Sequence, residues 1–349
     1  MKDKIDVGFI GCGGHAWRNV LPALQWAPVN LVATCDLDEE KAKRAARQFG
    51  ALRHYTNHLE MMSEEKLDGV FIVAGYSAEC VTRHAGLAID AMKAGCHAWI
   101  EKPPASSVSE VRDMMRVSKE TGKFVLVGFK KCFYPSVEKA KEVAERRDFG
   151  TPASIYVRYP MSLPPEDQRI EKKGMHVVLD HIPHPGSLLR LFMGEIDHIY
   201  IEDERMNGGA MVTVGFKSGA VGLLHLTAGQ SGVSPLERLE VIGRGANVVI
   251  DNGIKLTYYR PGNRGPYGGA PSYIGPDEAA PMYWEPEFSL AVLYNKGLFL
   301  EGFAGEVSYF AECVLKNKEP KKCGLDYALE VTKLYEALCG PSRQVIKLE

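Results

Sequence analysis

The sequence has no apolar run of membrane-spanning length and no excess of charge of either sign. Its 349 residues carry 42 Lys and Arg against 44 Asp and Glu, a formal net charge of -2, with a pI near 6.6. A chain so close to neutral has no electrostatic reason to bind nucleic acid or an anionic membrane surface. The lack of a long apolar run argues against a transmembrane segment. We therefore expect neither nucleic acid nor a membrane as a partner.

Paired cysteine spacings are also missing. None of the eight cysteines forms a C-x-x-C motif, and Cys35, Cys96 and Cys313 lie inside apolar segments. The N-terminal MKDKID leads directly into a strand-like run, without the apolar region of a signal peptide. We therefore expect a cytoplasmic protein whose thiols are reduced and mostly buried.

The order of predicted elements indicates an α/β chain with two domains. Up to residue 127, short β-branched runs alternate with helical patterns, among them one from Glu79 to Ala94. This alternation is typical of a doubly wound parallel sheet, a Rossmann domain, over residues 1–127. Over residues 128–349, successive strands without intervening helices predict an α+β domain with a large, mostly antiparallel, open-faced sheet. Such an open face is a natural dimer surface.

A glycine turn near the N-terminus carries the first functional signal. Gly11, Gly13 and Ala16 match G-x-G-x-x-G/A, after a strand-like run that ends at Ile10. Gly11 allows the tight turn because it lacks a Cβ, and Gly13 lets the backbone approach a pyrophosphate. The N-terminus of the following helix presents free N–H groups to the phosphates. The pattern predicts a dinucleotide site.

An acid at the end of the second strand indicates which dinucleotide is bound. Asp36 lies about twenty residues after the turn, where a carboxylate accepts hydrogen bonds from the adenosine ribose hydroxyls. The same carboxylate would repel a 2′-phosphate, so NAD is favoured over NADP. Arg44 and Arg47 follow, but helical spacing directs them elsewhere.

A lysine stands where the ligand of an open α/β sheet binds. Glu101-Lys102-Pro103 ends the strand-like HAWIEKP, and ligands bind outside the carboxyl ends of such strands. Lys102 can reach both the nicotinamide edge and a reacting hydroxyl. The alternative, equally weighted on local sequence alone, is a surface lysine in a loop.

The segment LDHIPHPG supplies a possible acid–base pair. Asp180 and His184 stand at i,i+4, with His181 beside them, and these positions share one face of a helix. Pro183 and Pro185 complicate this, because the helix is either kinked there or begins there with a proline in its first turn. Two alternatives stay open. The same histidines could ligate a metal together with His176, or they could be structural; no metal is expected.

Together these motifs resemble the Gfo/Idh/MocA oxidoreductases, which include glucose-fructose oxidoreductase and inositol 2-dehydrogenase. The glycine turn, Asp36, the Glu-Lys-Pro motif and Asp180-x-x-x-His184 occur in the same order, as does the closing pattern GFAGEVSYFAECV. The resemblance implies a Rossmann domain, an open-faced second domain, pyranose or cyclitol substrates and assembly into homodimers or homotetramers. It also implies that Lys102 touches nicotinamide ribose and substrate, that His184 is the acid/base and that Asp180 orients substrate or histidine.

The residues expected at the cofactor are Gly11, Cys12, Gly13, Gly14, His15, Asp36, Ala74, Glu101 and Lys102, and those expected at the substrate are Lys130, Lys131 and His181. The chain departs from the family at two of these places. Many members carry T-P-N-x-x-H where this chain has Ala74-Gly75-Tyr76-Ser77, with His84 several residues later. Lys130-Lys131 replaces Asn-Arg or Tyr-Arg. Two lysines could hold a sugar hydroxyl or a carboxylate, and the equally weighted alternative is a solvated surface pair.

The expected function is oxidation of a secondary hydroxyl of a sugar, sugar derivative or cyclitol by hydride transfer to NAD, with His184 or Lys102 taking the hydroxyl proton. The resemblance leaves two alternatives. Some relatives cleave glycosidic bonds through transient oxidation, and a fungal co-repressor of this fold senses nucleotide without catalysis. Residues 260–286, rich in proline and aromatic residues, are expected to be an active-site cover, a binding loop, an arm onto a partner or a plain surface loop.

Overall fold

The computed structural model describes residues 2–261, 281–286 and 296–348. They form two compact units, each discontinuous in sequence. The first comprises Met1–Phe133, Glu171–Ser187 and Asn295–Glu336, and the second comprises Tyr134–Ile170, Leu188–Tyr294 and Ala337–Glu349. The domain boundary expected at 127/128 stays a prediction. The loop at 260–286 lies largely outside the described residues.

The first unit contains a parallel sheet of six strands in the order β3-β2-β1-β4-β5-β6. The strands are β1 (Ile5–Ile10), β2 (Val29–Cys35), β3 (Arg53–Tyr55), β4 (Gly69–Ile72), β5 (His97–Ile100) and β6 (Val125–Val127). The central strands β4 and β5 are buried at every residue, as expected of a sheet covered on both faces. The predicted doubly wound sheet is confirmed.

The described part of the chain contains eleven α-helices, and the first five connect the strands of this sheet. They are α1 (Leu21–Ala23), α2 (Glu39–Phe49), α3 (His58–Glu64), α4 (His84–Lys93), α5 (Val108–Thr121), α6 (Pro135–Ala144), α7 (His176–His181), α8 (Pro183–Met193), α9 (Lys296–Leu300), α10 (Phe303–Leu315) and α11 (Leu325–Leu338). Residues 16–26, which follow the glycine turn, are irregular: a π-helical turn, α1 and a 3₁₀ turn succeed one another.

Local sequence explains where the regular helices begin and end. The Asp38 side chain accepts the N–H of Lys41 at the start of α2, and Ser107 accepts the N–H of Glu110 at the start of α5. Gly50 and Gly122 end these two helices with φ values of 82° and 66°, which a residue with a Cβ rarely adopts.

One predicted helix begins later than expected. The pattern from Glu79 predicts a helix, whereas α4 starts at His84. Thr82 forms a β-bridge with Tyr76, and its N–H donates to Ser106 Oγ at 2.9 Å. These contacts hold residues 76–82 as a closed loop, so the prediction for Glu79 to Arg83 was wrong.

The second unit is built on a sheet of nine described strands in the order β14-β13-β12-β11-β7-β10-β9-β8-β15. These are β7 (Ser154–Tyr159), β8 (Ile196–Asp203), β9 (Ala210–Phe216), β10 (Val221–Leu226), β11 (Arg238–Ile242), β12 (Asn247–Asp251), β13 (Lys255–Tyr259), β14 (Met282–Trp284) and β15 (Val345–Lys347). All neighbours are antiparallel except β7 and β10. The expected mostly antiparallel second sheet is confirmed.

One face of this sheet is accessible within its own unit. Burial alternates along β7 and over the first five residues of β9, as it does when only one face of a strand is covered. Val221, Ile242 and Met211 are all exposed, and their register places them on the accessible face. No helix in the described part of the chain has the length and apolarity to cross a membrane.

His97, at the start of β5, should make the stability of the protein depend on pH. Its ring is 5% exposed, and Nδ1 accepts the N–H of Phe124 at 3.2 Å. Burial lowers the pKa of His97 to about 4 from 6.5. Because the unfolded chain takes up this proton near pH 6.5 and the folded chain does not, stability falls as pH drops through this window.

We expect His97→Asn, which keeps an acceptor for the Phe124 N–H, to flatten this dependence. The free energy of unfolding of the wild type should fall about 3 kcal/mol more than that of the variant between about pH 7 and about pH 4. Urea unfolding at both pH values measures the difference. Parallel pH curves for the two proteins would contradict the assignment.

Candidate functional site

The predicted cofactor and lysine positions follow the carboxyl ends of neighbouring strands in the first unit. Gly11, Asp36 and Glu101 come directly after β1, β2 and β5, and Ala74 and Lys130 come shortly after β4 and β6. Because all six strands are parallel, these ends share one edge of the sheet. Hydrogen bonds then join the segments that leave this edge.

The glycine turn has the space and the backbone shape that a pyrophosphate needs. Gly11 has φ +90°, and a Cβ there would stand 2.0 Å from the carbonyl oxygen of Val73. At Gly13 and Gly14, by contrast, a Cβ would meet no atom within 4 Å. The open cradle and the helical turn that follows it fit the phosphates of NAD.

Asp36 is fixed against this turn. One carboxylate oxygen accepts the N–H of Cys12 at 2.7 Å, and the other accepts the N–H of Asp38 at 2.9 Å. The acid is half-buried, so part of it stays accessible to solvent. The guanidinium of Arg44 lies 4.6 Å from the centre of the Trp17 ring.

Glu101 joins the end of β5 to the glycine turn. Its Oε1 lies 2.7 Å from His15 Nε2, and its Oε2 accepts the backbone N–H of Lys102 at 2.8 Å. The other ring nitrogen of His15 lies 3.1 Å from the Asn19 amide. With Nε2 protonated, one tautomer satisfies both contacts. Glu101, only 5% exposed, thus positions His15 and the start of the Lys102 segment.

His84 makes a second link, which the sequence did not reveal. Its Nε2 accepts the N–H of Ala74 at 3.2 Å, and its Nδ1 lies 2.8 Å from the carbonyl oxygen of Pro103. Burial lowers the pKa of His84, so the ring is neutral and donates from Nδ1. The loop after β4 is therefore tied to the turn that carries Lys102. Lys102-Pro103 is a cis peptide bond.

Lys102 and Asp180 form an ion pair inside the first unit. Lys102 Nζ donates to Asp180 Oδ1 at 3.0 Å and to the Asp180 carbonyl oxygen at 3.1 Å. Burial by itself raises the pKa of Asp180, but the Lys102 ammonium and the Tyr76 phenol outweigh it and hold the pKa below its usual range. One N–H of Lys102 has no acceptor within the described segments. That proton can be donated to a ligand.

The structure decides between the two possibilities left open for Pro183 and Pro185. Helix α7 ends at His181, and α8 begins at Pro183, so both prolines fall in the first turn of a new helix, where no N–H is needed. Asp180 and His184 therefore belong to consecutive helices and not to one helix face. Asp180 Oδ1 binds Lys102, and Asp180 Oδ2 lies 3.7 Å from His181 Nε2.

His184 stands in a cationic environment. Burial lowers its pKa well below 6.5, and the positive charges of Lys131, Lys102 and Lys130 lower it further. The rings of His181 and His184 are 6.4 Å apart. A histidine with a depressed pKa is neutral at physiological pH and can accept a proton.

The two lysines after β6 have different surroundings. Lys130 Nζ pairs with Glu301 at 2.6 Å and lies 4.6 Å from the centre of the Phe303 ring. Lys131 is 6% exposed, which is rare for lysine. The charges of both lysines, like that of Lys102, lower the pKa of His184.

Glu306 on α10 is a buried acid that the sequence analysis did not single out. It is fully buried, and neither carboxyl oxygen has a hydrogen-bond partner among the described residues. Burial and the nearby charge of Glu101 raise its pKa well above 4.5. Its protonated form is therefore favoured. Its position in GFAGEVSYF, an apolar helical pattern, was the only available signal.

His176 lies against Tyr76, with 4.3 Å between ring centres. Within the described ranges, no three His, Cys, Asp or Glu side chains are arranged to hold a metal ion.

Comparison with known proteins identifies the family. Residues 5–129 match the family described as "Oxidoreductase family, NAD-binding Rossmann fold", and residues 137–249 match "GFO/IDH/MocA C-terminal domain". The chain belongs to the Gfo/Idh/MocA oxidoreductases. The resemblance seen in the motifs is confirmed, and the first unit contains the family's NAD-binding Rossmann fold.

Individual relatives are distant. The chain is 24% identical over 233 residues to myo-inositol 2-dehydrogenase of Thermotoga maritima, covering 64% of this chain and 68% of that protein. It is 31% identical over 133 residues to glycosyl hydrolase family 109 protein 2 of Akkermansia muciniphila, covering 36% and 27%. A levoglucosan dehydrogenase solved with NADH superposes with a TM-score of 0.79 at 18% identity, over 99% of both chains. The last similarity shows a shared fold.

Proposed function

We propose that this Gfo/Idh/MocA oxidoreductase is an NAD-dependent dehydrogenase that oxidises a secondary hydroxyl of a sugar, sugar derivative or cyclitol. The observation that carries the proposal is the Lys102–Asp180 ion pair, whose lysine charge also lowers the pKa of His184, in the unit that holds the glycine turn. Named dehydrogenases of inositol and levoglucosan among its relatives support this substrate class.

His184 would take the proton of the reacting hydroxyl. Its lowered pKa keeps an unprotonated nitrogen available at neutral pH. The surrounding lysine charges also stabilise negative charge that develops on the substrate oxygen.

Lys102 would hold that oxygen in place. Two of its N–H groups are directed to Asp180, which fixes the direction of the third, and this third N–H would donate to the substrate oxygen. Asp180 would orient the lysine. Lys130, Lys131 and His181, whose charges act on His184 or Asp180, would select among substrates.

The chain's own residues would bind NAD at the sheet edge. Gly11, Cys12, Gly13, Gly14 and His15 would face the pyrophosphate, Asp36 the adenosine ribose, and Ala74, Glu101 and Lys102 the nicotinamide end. NAD supplies the hydride acceptor, and the protein supplies position and electrostatics.

A substrate screen tests the proposal directly. Purified protein is mixed with NAD, then with NADP, and with a panel of sugars and inositols, and NADH absorbance is followed. Formation of NADH with at least one polyol is expected. Binding of NADH, seen by its fluorescence, together with no turnover on any polyol would favour a nucleotide-sensing protein without catalysis.

A second candidate is a glycosidase that oxidises its substrate transiently and regenerates NAD. The partial match to a glycosyl hydrolase family 109 protein favours it. Release of nitrophenol from nitrophenyl glycosides without net NADH would identify this activity.

The cofactor preference gives a further prediction. Asp36→Ser should raise KM for NAD roughly tenfold, because a charged hydrogen bond to the ribose is lost, and should lower KM for NADP, because the repulsion is removed. The ratio of kcat/KM for the two cofactors measures the change. Arg44→Met is the control, since Arg44 lies on Trp17. A wild type that prefers NADP would contradict the role of Asp36.

We also propose a cytoplasmic homodimer or homotetramer. The exposed apolar residues Val221, Ile242 and Met211 on the accessible sheet face support self-association.

A further inference from the structure

We propose that Tyr76 is a positioning residue of the active site, acting through Asp180 on Lys102. Its phenol donates to Asp180 Oδ1 at 2.7 Å, the same oxygen that accepts from Lys102 Nζ at 3.0 Å. This inference rests on the proposed function, because Lys102 matters for rate only if it touches the reacting oxygen.

The loop that carries Tyr76 is built to hold it. Tyr76 bridges to Thr82, and the N–H of Ser77 donates to the carbonyl oxygen of Val81 at 2.8 Å, so the loop closes on itself. On the other side, the ring packs edge-on against His176 at 4.3 Å. These contacts from both sides restrict the phenol to a narrow range of positions.

Asp180 needs such a restraint. Its side chain is 33% exposed and lies at the last turn of the short helix α7, where packing alone does not fix the carboxylate. The charged and titratable groups that face it are Lys102 from the end of β5, Tyr76 from the loop after β4 and His181 from α7. Without the phenol, the carboxylate can turn toward His181 or solvent. Lys102 would then lose one of its two fixed acceptors.

Two readouts of Tyr76→Phe test this role. In turnover, kcat should fall roughly tenfold while KM for NAD stays unchanged. The variant removes the hydrogen bond from the phenol to the Asp180 carboxylate, which orients Lys102 toward the substrate. The acid side of the pH profile should also move to higher pH, because the ionised form of Asp180 loses a donor. Loss of a purely structural residue would leave the acid side of the pH profile where it is.

The second readout needs neither substrate nor NAD. Reductive methylation of Lys102 by formaldehyde and cyanoborohydride, followed by peptide mass spectrometry, reports how tightly the lysine is held. Its rate should rise about twofold or more in Tyr76→Phe.

Ser77→Ala is the matched control. Ser77 Oγ accepts the N–H groups of Glu79 and Val81 within the same loop, at 3.2 Å and 3.4 Å. This variant loosens the loop and leaves the phenol in place, so wild-type kcat and Lys102 labelling are expected. Equal losses in both variants would assign the effect to loop order and overturn the inference.

The outcomes separate the two proposals. An active wild type with unchanged kcat and unchanged labelling in Tyr76→Phe overturns the role of Tyr76 and leaves the dehydrogenase intact. A wild type that oxidises no polyol removes the proposed function and the catalytic meaning of Tyr76, whatever the labelling rate.

Discussion

Replacing Lys102 by methionine should lower the rate of NADH formation roughly a thousandfold. Methionine keeps the length of the apolar stem and removes the ammonium that donates to Asp180 and, we propose, to the substrate oxygen. The transition state would then lose a fixed positive charge next to the developing negative one. The glycine turn, Asp36 and the Glu101–His15 contact are untouched, so NADH should still bind, and only the Lys102 contact at its nicotinamide end is lost.

A double-mutant cycle makes this prediction specific. If Asp180 acts on the reaction through Lys102, Asp180→Asn should lower kcat, and the double variant should be little slower than Lys102→Met alone. Additive losses would mean that the two residues act independently. A single Lys102→Met variant within tenfold of wild type would remove the lysine from the reacting oxygen altogether. Circular dichroism and NADH fluorescence check that each variant is folded and binds cofactor.

Much of the cofactor side could be predicted because its signals are local. The turn at Gly11, the acid at Asp36 and the lysine at position 102 each follow a short buried strand, and strand ends are visible as apolar runs that stop at glycine, acid or proline. Parallel pairing then places these ends at one edge, because every connection returns the chain in the same direction. The order and spacing of these strands along the chain were therefore enough to predict that their ends lie at one edge of the sheet.

The links between these segments could not be predicted, because they join residues far apart. Tyr76 and Asp180 are 104 positions apart, and the His84 ring spans from Ala74 to Pro103. The local sequence of the Tyr76 loop also predicted the wrong secondary structure. Residues from Glu79 onward have helical composition, yet the bridge between Tyr76 and Thr82 overrides that preference. Propensity is a weak guide where tertiary contacts decide the backbone.

The Asp180-x-x-x-His184 spacing shows a different limit. It suggested two side chains on one helix face, but Pro183 starts a new helix between them. The partner of Asp180 is Lys102, and the charges that act on His184 come from lysines that are 53 or more positions earlier in the chain. Motif spacing drew attention to these residues but could not assign their partners.

Replacing His184 by asparagine should lower kcat/KM roughly a hundred- to ten-thousandfold, the range found when a general base is removed. Asparagine keeps a polar group of similar reach but cannot accept the proton at neutral pH. Because burial and the lysine charges depress the pKa of His184, the wild-type base stays unprotonated as pH falls through 6.5. The wild-type rate should therefore decline only at lower pH.

The pH profile of this variant also decides between the two possible bases. If His184 takes the proton, the part of the acid limb of log kcat/KM that His184 sets disappears in His184→Asn, and only the part set by protonation of Asp180 remains. If Lys102 takes it, the limb persists in His184→Asn and is lost in Lys102→Met. A His184→Asn variant with wild-type rate at neutral pH contradicts both the base assignment and the stabilising role of the cationic surroundings. The neutral histidine would then be a structural residue in a site whose chemistry depends on Lys102.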